Sequence, residues 1–136
     1  MKIIGVDLDG TITPVGLYNP NLKLASWLFI FWLPLVLFLR PKRKVVERLS
    51  NFKKEGTKII IVSARPNWVR GLTRILLGFH KVSFDKLYCV GFGKGTEQRK
   101  LEIIIKEGIE QFFDDDKRLV EFLNHHSIKT SRSLNY

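Results

Sequence analysis

Asp7 and Asp9 stand two residues apart in the string Asp7-Leu8-Asp9-Gly10-Thr11-Ile12-Thr13. Side-chain direction along a strand and its extension repeats every second residue, so two carboxylates at this spacing project from one side. They follow a short apolar run, Ile3-Ile4-Gly5-Val6, that has the character of a buried parallel strand. At the end of such a strand the two acids repel each other and are poorly solvated, and a bound cation or a shared proton relieves both problems. Gly10 lets the backbone turn sharply beside them. Residues of this kind suit metal-assisted phosphoryl chemistry better than they suit a folding element.

Other reactive residues also fall at the ends of apolar runs. Lys58-Ile59-Ile60-Ile61-Val62 ends in Ser63, and Gly108-Ile109-Glu110-Gln111-Phe112-Phe113 ends in Asp114-Asp115-Asp116. Between the runs lie helical patterns. The spacing predicts a helix through Val45, Val46, Leu49 and Phe52 that Gly56 ends. A second helix carries Val69, Leu72, Ile75, Leu76 and Phe79, a third runs from Thr96 to Glu107, and a fourth from Lys117 to Asn124. Strands are expected at 2–8, 58–62, 86–90 and 109–113, with a short last one near Ile128. Alternation of strand and helix predicts an α/β fold, a three-layer Rossmann-like parallel sheet with right-handed crossovers. Ligands in such sheets sit beyond the carboxyl ends of the strands, where Asp7, Asp9, Ser63, Asp114 and Asp115 fall.

Taken singly, each residue has an ordinary explanation. Asp9-Gly10 is a common turn signal, Ser63 could cap a helix before Pro66, the acids at 114–116 could cap the helix starting near Lys117, and Lys100 could be a solvated helix residue. Together and in this order, they resemble the haloacid dehalogenase superfamily of phosphotransferases, whose first motif reads Asp-x-Asp-Gly-Thr-x-Thr. The resemblance spans the chain from its N-terminus to the helix after Asp116. It implies a small, capless-type phosphatase in which Asp7 is the nucleophile and Asp9 the general acid and base. Mg²⁺ is then held by Asp7, the backbone carbonyl of Asp9, Asp114 and Asp115. Ser63 and neighbouring N–H groups, Ala64 and Arg65 among them, receive the phosphoryl group together with Gly10 and Thr11. Lys100 balances the charge, although Lys94, in the glycine-rich loop Gly91-Phe92-Gly93-Lys94-Gly95, could reach the same place. Arg65 and Arg70, with Asn67 and Trp68 between them, are substrate contacts or a plain exposed helix start.

Residues 17–44 form a hydrophobic and basic insertion within an otherwise single domain, 1–136, and the longer stretch 14–57 resembles no cap domain. Leu24 to Leu39 is a run of 16 residues without a charge, short of the roughly 20 that span a bilayer as a helix. Pro34 interrupts it. A single crossing would also put Asp7 and Ser63 on opposite sides of the membrane, so a transmembrane span conflicts with a shared site. A buried helix, a homo-oligomer interface, or peripheral membrane contact through Trp27, Trp32 and the cluster Arg40-Pro41-Lys42-Arg43-Lys44 all fit.

The chain carries 23 Lys and Arg against 13 Asp and Glu, a net charge of +10. That balance favours an anionic partner: a phosphorylated metabolite, a nucleic-acid end or a lipid-linked phosphate. Cys89 is alone, which excludes an intramolecular disulfide, and sits in an apolar run as a small hydrophobe. His125 and His126 lie among polar residues without zinc-ligand spacing. No signal peptide precedes the first strand, so a cytoplasmic setting, with or without a membrane surface, is expected. Two other functions compete: a non-catalytic membrane-associated or oligomer-forming binding protein, and a phosphoryl-accepting receiver domain. The first should have lost Asp7 or Asp9, and the second needs a carboxylate where strand three ends in Gly91.

Overall fold

Apolar, β-branched runs make the centre of the molecule. In the computed structural model, which describes residues 2–8, 12, 41–91, 93–114 and 116–131, five strands form a parallel sheet. They are β1 (Ile3–Val6), β2 (Lys58–Ser63), β3 (Lys86–Cys89), β4 (Gln111–Phe113) and β5 (Lys129–Ser131), in the order β3-β2-β1-β4-β5. The two most apolar segments, β1 and β2, are therefore neighbours in the interior, as strands buried on both faces must be.

Among the described residues, four helices cover the two faces. On one lie α1 (Arg43–Lys54) and α2 (Arg70–Phe79), the latter entered through a 3₁₀ turn at Asn67–Val69. Val45, Leu49 and Leu77 from these helices pack on Ile4, Val6 and Ile61. On the other lie α3 (Thr96–Glu107) and α4 (Lys117–His125), whose Leu101, Ile104 and Leu123 pack on Ile60, Val62 and Phe112. This is the expected three-layer α/β sandwich. Gly5 is required where α3 and α4 meet β1. A Cβ there would lie 2.6 Å from a ring carbon of the fully buried Phe112 and 2.9 Å from Ile109.

Helix boundaries follow local chemistry. Asp116 caps α4, its Oδ1 accepting from the Arg118 amide at 3.0 Å. Gly108 ends α3 in the left-handed region at φ +67°. The start of α3 differs from expectation. Gly95, at φ +87°, holds the cap position, and the Thr96 hydroxyl instead donates to the carbonyls of Gly91 and Gly93. The first strand is also shorter than predicted, so Asp7 stands one residue past its end.

Ile12, wholly buried among the residues under α1, accepts at its carbonyl from the Lys42 amide at 2.6 Å. Residues 12 and 42 are thus neighbours, 12 near the end of β1 and 42 directly before α1. The hydrophobic run and Arg40 fall outside the described residues, as do Asp9, Gly10, Thr11 and Asp115. Among the described residues, no helix is long and apolar enough to cross a membrane. Cys89 is buried and His125 and His126 are exposed.

Candidate active site

Parallel register brings the ends of β1 and β4 together. Val6 is paired with Phe113, so the next residues on the two strands, Asp7 and Asp114, are neighbours, and the Asp7 amide donates to the Phe113 carbonyl at 2.9 Å. Side-chain alternation then fixes their direction. Asp7 shares its side of β1 with Gly5, and Asp114 shares its side of β4 with Phe112, both facing α3 and α4. Lys100, in the second turn of α3, extends into this corner. Its Nζ donates to Asp7 Oδ1 at 2.9 Å and to Asp114 Oδ2 at 3.1 Å.

All three charged groups are buried: Asp7 is 6% exposed, Asp114 1% and Lys100 4%. Burial alone would discharge the ammonium, but the two carboxylates outweigh it and hold Lys100 well above the usual lysine range. Burial pushes the Asp114 carboxyl up, against the pull of Lys100 and of the Asp116 amide that donates to its Oδ1 at 2.9 Å. Two carboxylates facing one ammonium leave a surplus negative charge in a desolvated corner. Each acid turns one oxygen to the Lys100 ammonium. Carboxylate oxygens are hard donors of the kind Mg²⁺ prefers, so the donor chemistry suits that ion, although among the described residues no group of three such side chains gathers around one point. Lys94, by contrast, is exposed, so Lys100 alone of the two candidate lysines meets the acids.

Ser63 ends β2, one strand over from Asp7. It shares its side with Ile59 and Ile61, toward α1 and α2, so the structure does not seat it against Lys100. Its buried Oγ accepts from the Arg65 amide at 3.0 Å. That bond uses a lone pair and leaves the hydroxyl proton for an incoming oxygen. Arg65 is not an exposed helix start. It is 2% exposed, and its Nη1 donates to Thr73 Oγ1 of α2 at 3.2 Å. Ala64 is half-buried between them.

Two supporting residues escaped the sequence. Thr73, 1% exposed, is the buried partner of Arg65. Arg99 clamps the loop that leads from β3 to α3, its Nε donating to the Val90 carbonyl at 2.7 Å and its Nη1 to the Lys94 carbonyl at 3.1 Å. A polar residue inside an apolar helical pattern was the available signal for Thr73. Arg99 gave none, since an arginine on a mixed-charge helix is ordinarily solvated.

The sheet order, the three layers and the site at the strand ends define the haloacid dehalogenase-like fold. Solved structures agree. A chain of the Pnkp1/Rnl/Hen1 RNA repair complex is similar over 99% of this chain and 42% of its own, with 22% identity and a TM-score of 0.71. The HAD domain of the effector protein Lem4 from Legionella pneumophila, in an inactive mutant form, is similar over 97% of this chain and 84% of its own (17% identity, TM-score 0.59). So is D,D-heptose 1,7-bisphosphate phosphatase from B. bronchiseptica, complexed with magnesium and phosphate, over 96% and 79% (10% identity, TM-score 0.60). The chain spans less than half the length of the RNA repair chains it resembles. The sequence matches no family model and no curated protein.

Proposed function

We propose that this chain is a Mg²⁺-dependent phosphatase that hydrolyses phosphomonoesters through a phosphoryl group carried on Asp7. One observation carries the proposal: Asp7 and Asp114 converge on the buried Lys100 ammonium at the carboxyl ends of adjacent parallel strands. Such a corner has a nucleophilic oxygen, a surplus negative charge that suits a divalent cation, and a fixed positive charge beside the reacting group.

An Asp7 oxygen forms the new bond to phosphorus while the bond to the ester oxygen breaks. Asp9 gives that departing oxygen its proton. Asp9 then takes a proton from water as the water oxygen bonds to phosphorus, which releases phosphate and restores the Asp7 carboxylate. Lys100 donates to Asp7 and faces the charge gathering on the phosphoryl oxygens. Asp7, the carbonyl of Asp9, Asp114 and Asp115 are the residues that would hold Mg²⁺, which when bound offsets the repulsion between carboxylate and phosphate. The Ser63 hydroxyl, oriented by the Arg65 amide, donates to a phosphoryl oxygen, and Gly10, Thr11 and Ala64 would receive the same group. Arg65 buttresses this corner through Thr73.

The magnesium and phosphate bound to the similar heptose bisphosphate phosphatase support both the ion and the chemistry. Likeness to a chain of an RNA repair complex keeps a nucleic-acid end among the substrates, beside phosphorylated metabolites and lipid-linked phosphates. Residues 1–136 act as one cytoplasmic domain carrying the 17–44 insertion. Hydrolysis of p-nitrophenyl phosphate tests the activity. It should need Mg²⁺, stop with EDTA, and fall by at least ~10³-fold in Asp7→Asn. Undiminished turnover in Asp7→Asn would refute the proposal.

A further inference from the structure

The 3₁₀ turn and α2 expose four large apolar side chains: Trp68 at 77%, Leu72 at 40%, Ile75 at 69% and Phe79 at 79%. Steps of four, three and four residues align them in one stripe. Val69, Thr73 and Leu77 hold the helix to the sheet, so the stripe is not the packing face. Elsewhere on the solvent arc stand Arg70 and Arg74, both exposed, with Lys81 just past the helix end. Gly71 and Gly78 lie between the two rows, and a Cβ at either would touch nothing within 4 Å, so internal packing does not demand a glycine at these positions. No acidic residue occurs between Arg65 and Phe84.

The geometry points to this arc of α2 as a docking surface for an anionic lipid bilayer. Its occupant follows from charge and shape. An apolar and aromatic stripe, with exposed cations farther round the same solvent arc, is the amphipathic pattern an interfacial helix offers to acyl chains and headgroups. The rest of the same layer is cationic as well: from Lys42 to Lys81 there are 11 Lys and Arg against two glutamates. Face-to-face pairing of two copies would oppose these like charges. Single-stranded nucleic acid stacks on successive aromatic rings, whereas here Leu72 and Ile75 separate Trp68 from Phe79 by 11 residues. Trp68 lies five residues beyond Ser63, so the docked face includes the end of the sheet that bears the site. The inference stands whether or not the site hydrolyses phosphate.

Co-sedimentation of the full chain tests it, with vesicles of equal parts phosphatidylcholine and phosphatidylglycerol against phosphatidylcholine alone. Binding should appear with the anionic vesicles and weaken as salt is raised. Trp68→Ser/Phe79→Ser should lower the vesicle partition coefficient at least about tenfold, and Arg70→Gln/Arg74→Gln should lower it and flatten its salt dependence. Both variants should keep the parent's thermal midpoint and its sedimentation coefficient. Vesicle binding unchanged by either variant overturns the proposal, as does absence of binding in the parent. So do a dimer that dissolves in the Trp68/Phe79 variant, a drop in thermal midpoint showing that the chain itself covers the stripe, and loss of RNA binding without any vesicle binding.

Discussion

The two helical layers of this molecule are built to different ends. The layer of α3 and α4 buries charge where it meets the strand ends. Lys100 and Asp114 are buried at the strand ends, and between Lys94 and Glu121 six cations stand against eight acids, close to balance. The layer of α1 and α2 carries a large and mostly exposed cationic excess and leaves four apolar side chains in solvent, against Ile105 alone among the described residues of α3 and α4. Both layers bury an ordinary apolar face against the same sheet. The difference lies in what is left after the core is made. One layer spends its special residues on a desolvated ion cluster, and the other on its outer surface.

Substitutions can break this contrast, and the largest effect should come from the inward layer. Lys100→Met leaves Asp7 and Asp114 buried without their shared cation, which should cost about 3–5 kcal/mol and suppress turnover. Added Mg²⁺ should recover part of the lost thermal midpoint, since a divalent ion can face the same acids. A full-stability Lys100→Met variant without Mg²⁺ would show that the cluster is not electrostatically stressed. Next comes the packing beneath the site. Gly5→Ala drives a methyl into Phe112 and Ile109 and should destabilise by about 1–3 kcal/mol, read as a denaturant midpoint shift. A neutral result would mean that the inward face yields more readily than its burial suggests.

The smallest effect belongs to the outward layer. Asp85 is pulled two ways: burial raises its pKa, but the Lys53 ion pair at 2.6 Å and the Ile59 amide at 2.8 Å together hold it below 3.8. A carboxyl whose folded pKa is depressed stabilises the fold above its unfolded value, and that contribution disappears as pH falls through the folded value. Asp85→Asn should therefore cost about 0.2–1 kcal/mol at neutral pH, the usual range for a solvent-accessible pair. The gap in thermal midpoint between parent and variant should close below about pH 4. A gap that persists into stronger acid would assign the effect to packing.

Much of the inward layer was legible in the sequence. Strand ends are marked by the switch from β-branched apolar residues to acids, so the meeting of Asp7 with Asp114 follows once β1 and β4 are known to be neighbours, and that adjacency comes from the structure. Lys100 was one of two readable candidates, and helical reach from α3 decided between them. Asp116 was readable as a cap because a side-chain acceptor directly before a helix has little else to do. The outward layer was harder. In α2 and the turn before it, apolar residues at Val69, Leu72, Ile75, Leu76, Leu77 and Phe79 cover most of the helix circumference. Periodicity then predicts a helix without choosing its face, and the face actually packed includes Thr73 while leaving Ile75 and Phe79 outside. The burial of Arg65 was hidden for the same reason, because its partner lies eight residues away on that undecided face.

The backbone clasp between Ile12 and Lys42 carries a consequence for how the chain can be edited. Where two segments already meet, the cost of joining them depends only weakly on how much polypeptide lies between, growing as the logarithm of its length. Exchanging residues 14–40 for a short glycine-serine bridge should then spare the sheet and the ion cluster, yielding a minimal domain in which contributions of the insert can be scored by adding it back.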